Sequence, residues 1–261
     1  MSGAALALAL SAAGLHATWN LLLARTRDVE AATGVALIAG VVAFAPVAAL
    51  SWDVEASAAP YIAGSAGLEL VYFVLLAAAY SRAQLAVVYP VARGGAPVLV
   101  LLGALLLGRI PSFAEAAGVL LVSAGVLLVR GAGAWRGLAI AAVIASYTLV
   151  DNAGIEHAGP LAYLEVVLVP VAVVVAVKVG PTRLRAALTP AAVAAGVASF
   201  LAYSLALAAL ELAPAAPVAA VRETSVVIAV ALAAPFLHER VGPGRLAGAA
   251  LVALGVALLG T

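Results

Sequence analysis

The chain has 261 residues, of which 66% are hydrophobic and only 10% are charged, and its mean hydropathy is +1.22. Soluble domains are about half apolar and about a quarter charged, so this composition excludes a water-soluble fold. The net charge of +1 offers no basic surface for nucleic acid, and the lack of cysteine excludes disulfides and cysteine-bound metals. We therefore expect the lipid bilayer as a partner and expect no nucleic acid, metal or cofactor.

Ten segments of the chain are apolar and long enough, at about 20 residues, to cross a bilayer as α-helices. They cover residues 3–24, 32–51, 59–79, 85–107, 113–130, 136–154, 160–178, 188–209, 216–237 and 243–260. The predicted connections are too short to hold an extramembrane domain. The sequence therefore predicts an all-α integral membrane protein with ten transmembrane helices.

Basic residues in the short loops predict the orientation, because such loops stay on the cytoplasmic side. One predicted side carries Arg25, Arg27, Arg82, Arg130, Arg136, Lys178, Arg183, Arg185, Arg240 and Arg245. The other side carries only Arg109. This split predicts a multi-pass protein of a bacterial-type inner or plasma membrane with both termini outside.

The two halves of the chain align with each other. Residues 112–129 match 242–259 at an offset of 130. Nearly the same offset relates Tyr72 to Tyr203, Arg93 to Arg222, and the pair His16 and Asn20 to Tyr147 and Asp151. Five helices are an odd number, so a second unit enters from the opposite side, and we predict two inverted repeats, 1–130 and 131–261, within one membrane domain. The alternative is that Ala-rich composition alone produces the likeness.

Six segments resemble a known family. They are LHATWN (15–20), YPVARGGAP (89–97), SYTLVD (146–151), AYSLALAAL (202–210), VRETS (221–225) and LHER (237–240). Through them the chain resembles the drug/metabolite transporter superfamily, specifically its EamA-like members with ten helices. The resemblance implies a secondary carrier with a central cavity. Members of the superfamily move amino acids, sugars, nucleotide sugars and drugs, many by proton-coupled export.

Polar side chains within the predicted spans are candidates for a substrate site, because such groups are costly in a bilayer. His16, Trp19 and Asn20 fall on one stripe of the first helix, and Tyr147 and Asp151 repeat this stripe in the sixth. We interpret them as the wall of a cavity that binds a polar solute. The alternative is that His16 and Asn20 form interhelical hydrogen bonds that fix the packing.

Glu69 lies near the middle of the third span and shares a helix face with Tyr72. An ionised carboxylate at this depth costs about 2.5–3.5 kcal/mol, so Glu69 should be either protonated or paired. In the first case burial makes it a candidate carrier of the coupling proton. In the second it forms a static ion pair with Arg93 or Arg222.

The fourth and ninth spans carry prolines and glycines around charged residues. The fourth has Arg93 among Pro90, Gly94, Gly95 and Pro97, and the ninth has Arg222, Glu223, Thr224 and Ser225 after Pro214 and Pro217. We predict that both helices are interrupted there, which is typical of transporter sites. The guanidinium groups would bind a substrate carboxylate or phosphate, and Glu223 would bind an amine or a proton. The alternative is that Arg222 and Glu223 hold the two halves together.

These residues define the expected site. Substrate binding is assigned to His16, Trp19, Asn20, Tyr72, Arg93, Tyr147, Asp151, Tyr203 and Arg222, and proton coupling to Glu69 and Glu223. The chain has no HExxH, GxSxG or P-loop motif, which argues against an enzyme or an ATPase. The expected function is the proton-coupled export of a small metabolite by alternating access. The alternatives are an uncoupled exchanger, an importer, an intramembrane enzyme, and a structural or sensory protein.

Further residues are expected at helix contacts and at the membrane surface. The glycine pairs Gly118 with Gly125 and Gly244 with Gly248 predict close packing or a dimer contact, so the chain is expected as a monomer or homodimer. Glu156, His157 and Glu165 are expected at a solvated outer interface, and Trp52, Trp135 and Tyr163 as interfacial anchors.

Overall fold

The computed structural model describes residues 1–24, 26–80, 85–130, 136–237 and 243–261. Throughout these residues the fold is a bundle of α-helices without β-strands. The helices are α1 (Gly3–Ala24), α2 (Val29–Leu50), α3 (Ala59–Tyr80), α4 (Leu85–Leu106), α5 (Phe113–Arg130), α6 (Arg136–Gly154), α7 (Pro160–Val179), α8 (Pro181–Ala187), α9 (Pro190–Leu212), α10 (Ala215–Arg222), α11 (Thr224–Leu237) and α12 (Pro243–Leu259). A single 3₁₀ turn, Ala56–Ala58, precedes α3.

Within the described residues, six apolar helical segments are long enough to cross a bilayer. They lie in α1, α2, α3, α6, α7 and α9. The chain is therefore an integral, multi-pass membrane protein. The other predicted spans coincide with α4, α5, the pair α10 and α11, and α12. The count of ten spans stays a prediction.

Capping residues set the starts of α2 and α9, which differ by two or three residues from the predicted starts at 32 and 188. The Asp28 carboxylate accepts a hydrogen bond from the Ala31 N–H, so α2 begins before residue 32. The Thr189 hydroxyl accepts from the Ala192 N–H, and α9 therefore begins at Pro190. Between α7 and α9, in a predicted loop, the short helix α8 follows Gly180, whose φ of 83° favours glycine.

The expected interruption of the fourth span is wrong. The helix α4 runs unbroken past Arg93. A Cβ added to Gly94 would lie 3.0 Å from the Leu127 side chain and 3.3 Å from the Ser123 carbonyl oxygen. This glycine therefore allows α5 to pack closely against α4, and such contacts let a membrane helix tolerate proline and glycine without breaking.

The interruption of the ninth span is confirmed. Helix α10 ends at Arg222, α11 begins at Thr224, and Glu223 lies at the junction. The Glu223 N–H donates to the Ala220 carbonyl, three residues earlier, at 3.0 Å. This tighter bond replaces a regular α-helical one and offsets the two helices. The junction places a charged side chain where the helix ladder is already broken.

Many helix contacts in the bundle join a helix of the first half of the chain, α1 to α5, to a helix of the second half, α6 to α12. In the predicted alignment of the two halves, the contact of α1 with α9 corresponds to the contact of α3 with α6. The contact of α4 with α6 likewise corresponds to that of α10 and α11 with α1. Helix α2 contacts α9, α3 contacts α7, and the pairs α2 with α7 and α5 with α12 join the halves. Among the described side chains, an apolar core forms from residues of α5, α7, α9 and α10, including Val122, Val171 and Leu207.

Glycines bring α5 and α12 together. A Cβ on Gly118 would lie 2.9 Å from the Gly255 carbonyl oxygen, and one on Gly125 would lie 2.6 Å from the Gly248 carbonyl oxygen. The order of these contacts makes the two helices antiparallel. Three glycines of the two predicted pairs thus pack within the chain and not against a second copy. A Cβ on Gly244 would meet no atom of the described residues within 4 Å.

Polar contacts tie the chain together at the membrane surfaces. The Met1 ammonium donates to the Leu259 carbonyl at 2.8 Å, so both ends lie on one side. Arg183 bonds Asp28 and Glu30 at 2.9 Å. Parts of the predicted orientation, namely Arg25, Arg82 and Arg240, lie outside the described residues, as do Trp135 and residues 238–240 of the LHER segment. The placement of both termini outside therefore stays a prediction.

Candidate functional site

The centre of the bundle contains buried ionisable side chains from both halves. They are exposed by 5% at Glu69, 5% at Arg93, 1% at Asp151 and 4% at Glu223. Helices α3, α4 and α6 and the junction of α10 with α11 supply them. Burying charges this deeply in a membrane bundle costs free energy, and such residues usually form ion pairs or contribute to function. This centre is therefore the candidate functional site.

An ion pair links the two halves at this centre. The Arg93 Nε lies 2.9 Å from Glu223 Oε2, and the Arg93 Nη2 donates to the Ser225 hydroxyl at 3.2 Å. The helix junction makes this possible, because Glu223 and Ser225 would point about 200° apart on a regular helix. Arg93 thus contacts the residue that directly follows Arg222, its predicted counterpart in the second half.

A second cluster surrounds Asp151 on α6. The Tyr203 hydroxyl donates to its Oδ2 at 2.5 Å and the Tyr163 hydroxyl to its Oδ1 at 3.0 Å. The Ser65 hydroxyl lies beside the same carboxyl. Only the shorter bond, from Tyr203, has the length of a charge-assisted hydroxyl–carboxylate bond. Side chains of α3, α6, α7 and α9 therefore converge on one acid.

Glu69 adjoins this cluster and belongs to the first half. Its carboxyl interacts with the Tyr203 hydroxyl and the Asp151 carboxyl, and the charge of Arg222 also acts on it. Two carboxyl groups buried side by side repel each other when both are ionised. Glu69 and Asp151 therefore form one acidic cluster that joins α3 and α6.

Aromatic rings form one wall of the centre. The Tyr147 ring lies 6.3 Å from that of Tyr72 and 6.2 Å from that of Tyr203, between centroids. The Arg222 guanidinium lies 5.6 Å from the Tyr203 centroid, at cation–π distance. Arg222 is half-buried, whereas Arg93 is fully buried. The more accessible guanidinium is thus the one above the aromatic wall.

The predicted stripe on α1 divides into two parts. His16 faces the centre, where Arg93 and Arg222 act on it electrostatically. Trp19 meets the His16 ring edge-on at 4.8 Å and also packs against an apolar cluster of α2 and α9. The Asn20 amide donates to the His16 carbonyl at 2.7 Å, a bond within α1. The interhelical bond considered for Asn20 is replaced by this local one.

Tyr163 is a site residue that the sequence analysis missed. It was expected as an interfacial anchor, but its side chain is fully buried and donates to Asp151. The turn between α6 and α7 is short, so the first turn of α7 lies against the last turn of α6. A Cβ on Gly154 would lie 2.5 Å from the Tyr163 ring, so only glycine leaves room there. The sequence signal for this contact was an acid, Asp151, and a tyrosine, Tyr163, on either side of a short turn.

The other surface expectations have mixed outcomes, with Glu156 exposed and His157 half-buried. Trp52 is 58% exposed, in agreement with an interfacial position. Glu165 is only 7% exposed, so its expected solvated position is wrong. It lines a groove between α3 and α7. Among the described residues, no group of three His, Asp or Glu side chains is arranged to hold a metal ion.

Comparisons with known proteins agree with this architecture. The model of the EamA-like transporter family matches residues 132–261. This family is part of the drug/metabolite transporter superfamily, so the match indicates a membrane transporter of that type. A solved chain, described only as the crystal structure of a protein, shares the fold with a TM-score of 0.77 at 18% identity, over 99% of this chain and 96% of the other. The sequence has no significant match among curated proteins.

Proposed function

Because the chain belongs, through its second half, to the EamA-like transporter family, we propose that it is a secondary transporter. It carries a small polar or amphipathic metabolite through the central site by alternating access and exports it in exchange for protons. The observation that carries this proposal is the buried centre, in which Arg93 of the first half and Glu223 of the second form an ion pair.

Inverted repeats supply the mechanical basis. The corresponding helix contacts support this arrangement, and so does the antiparallel crossing of α5 and α12. There Gly118 meets Gly255 while Gly125 meets Gly248, a pattern that is unchanged when the two halves are exchanged at an offset of 130. Two related halves with opposite orientations can exchange conformations, which opens the centre to one side and then to the other.

The substrate binds against the aromatic wall. Tyr72, Tyr147 and Tyr203 offer ring faces and hydroxyl groups, and Arg222 extends over Tyr203. A guanidinium in this position suits a carboxylate or phosphate on the substrate. The Arg93 guanidinium contacts Glu223 and Ser225, so Arg222 is the better placed of the two for the substrate.

The coupling proton resides on the acids beside the wall. Glu69 and Asp151 share the Tyr203 hydroxyl as a neighbour, so a proton on one relieves their repulsion. A substrate that binds Arg222 and displaces the Tyr203 hydroxyl from Asp151 would change this balance. Proton release and substrate binding are then linked through a single side chain. Glu223 is the second proton acceptor, which becomes available only when its contact with Arg93 opens.

The test is substrate-driven proton flux in proteoliposomes that contain a pH-sensitive dye. Amino acids, sugars, phosphorylated metabolites and cationic drugs are supplied in turn. Wild type is expected to move protons with at least one class. Glu69→Gln is expected to lose proton flux and keep the exchange of labelled substrate, because it removes the titrating group and keeps the shape.

Glu211→Gln is the matched control, since Glu211 is an exposed acid at the end of α9. It should transport and couple as wild type does. Full proton coupling in Glu69→Gln would remove this residue from the mechanism. Substrate exchange in wild type with no proton flux would replace the proposal with an uncoupled exchanger.

A further inference from the structure

A groove on the side of the bundle holds a buried acid that the central site does not use. The groove measures about 660 Å³ and lies between α3 and α7 below the loop that follows α2. Ile62, Ala66 and Val169 line its apolar walls, and Trp52 lies at its edge. Its volume falls within the range of small-molecule sites.

Glu165 supplies the acid. Its side chain is more than nine-tenths buried, and its Oε2 has no hydrogen-bond partner among the residues that the structure describes. A buried carboxylate oxygen without a hydrogen-bond donor is costly, so we expect a bound molecule to supply the donor. Glu55, at the groove mouth, adds a second carboxylate, which also accepts from the Ser57 hydroxyl and lies 3.5 Å from His157 Nδ1. Both charges favour a cation.

Helix α7 adds an acceptor at the same place. Pro170 has no N–H to donate to the Val166 carbonyl, four residues earlier. Val166 and Pro170 both line the groove beside Glu165. An ammonium group carries three donors, which suits a carboxylate together with a backbone carbonyl.

The depth of Glu165 indicates where the ligand lies. It is the sixth residue of α7, so it is about 8 Å from the start of the helix. Amphipathic molecules place the boundary between head group and acyl chain at about this depth. The exposed Val169, further along α7, continues the apolar surface toward the bilayer.

We propose that this groove is a second, lateral binding site for a single-chain amphipathic amine, whose ammonium group binds Glu165 and whose alkyl chain lies between α3 and α7. It is separate from the central site and does not depend on the transported substrate. An occupant here would bridge α3 and α7, which come from different halves of the chain.

Trp52 reports binding at this site. A long-chain alkylamine brominated on its tail is titrated into the purified protein in detergent, and the quenching of tryptophan fluorescence is recorded. The signal that is present in wild type and absent in Trp52→Phe belongs to the groove. This signal should saturate, and Glu165→Gln should weaken the affinity at least about tenfold, because it removes the charge that the ammonium binds.

Controls separate the charge from the apolar surface. Glu211→Gln, which changes an exposed acid elsewhere, should bind as wild type does. The bromoalcohol of equal chain length should bind wild type at least about tenfold more weakly than the amine and be insensitive to Glu165→Gln. Ala63→Leu, which fills the groove and leaves Glu165 in place, should also abolish the saturable signal.

Three results would overturn the proposal. They are unchanged amine affinity in Glu165→Gln, equal affinity for the alcohol, and the absence of a Trp52-dependent signal in wild type. Quenching by brominated phosphatidylethanolamine, but not phosphatidylcholine, in nanodiscs would assign the groove to a bilayer lipid instead. Because binding is measured directly, these results are independent of whether the protein transports.

Discussion

Removing one partner of the Arg93–Glu223 ion pair should destabilise the fold far more than breaking an equally short pair at the surface. In the Arg93–Glu223 pair the closest N to O distance is 2.9 Å and both side chains are about 5% exposed. At an effective dielectric constant of about 20, two charges at this distance attract by about 6 kcal/mol. Desolvation offsets part of this, and breaking a buried pair from one side typically costs about 3–5 kcal/mol. Glu223→Gln and Arg93→Met should each lower the free energy of unfolding by about 3–5 kcal/mol.

The double variant should lose less than the sum, because neither charge then remains buried. A coupling free energy of about 3 kcal/mol is expected. The pair of Lys178 with Glu30 is the control, since it is also 2.9 Å long but is 57% and 37% exposed. Lys178→Met should cost at most about 1 kcal/mol. The assay is reversible unfolding in mixed micelles. Additive losses at the buried pair, or equal losses at both pairs, would refute this reasoning.

Three further predictions concern packing, pH and the acid cluster. Gly255→Ala should destabilise the fold by about 1–3 kcal/mol by pressing on the backbone of α5, whereas Gly244→Ala should not, and unfolding in micelles compares the two. Hydrogen bonds from Arg183 hold the pKa of Asp28 below its ordinary value. Their stabilisation is therefore present above about pH 3.9 and is lost as the pH falls through the lowered pKa. The melting temperature of Arg183→Met should accordingly fall less than that of wild type between about pH 7 and about pH 3. Tyr163→Phe should cost about 1–3 kcal/mol, because it removes a donor from a buried acid, and a melting temperature equal to that of wild type would contradict this.

The sequence was sufficient where local chemistry decides the structure. Long apolar runs predicted the helices, because a backbone in lipid must satisfy its own hydrogen bonds. The prolines before the charged residues of the ninth span predicted an interruption, which the structure has at Glu223. The offset of 130 related glycines that the fold brings together on α5 and α12. Each of these features is visible within one segment or by comparing two.

Tertiary contacts decide the features that the sequence did not reveal. Gly94 in α4 is compatible with either a break or a close contact, and only the position of Leu127 on α5 decides between them. Tyr163 looks like a surface anchor until the α6–α7 turn places it against Asp151. Glu165 is likewise buried by α3, an element about 100 residues away in sequence. Pairing between distant helices determines which polar groups meet.

The most direct test of the central claim is whether the buried centre opens to both sides of the membrane. The natural chain has no cysteine, so a single Ser225→Cys substitution can be labelled by a membrane-impermeant thiol reagent from either face of oriented vesicles. Ser57→Cys and Thr182→Cys, at exposed positions, serve as markers for the two surfaces. Alternating access predicts that Ser225→Cys is labelled from both sides, in proportions that shift with pH. Labelling from one side only, at every pH and with both markers reacting, would contradict the account.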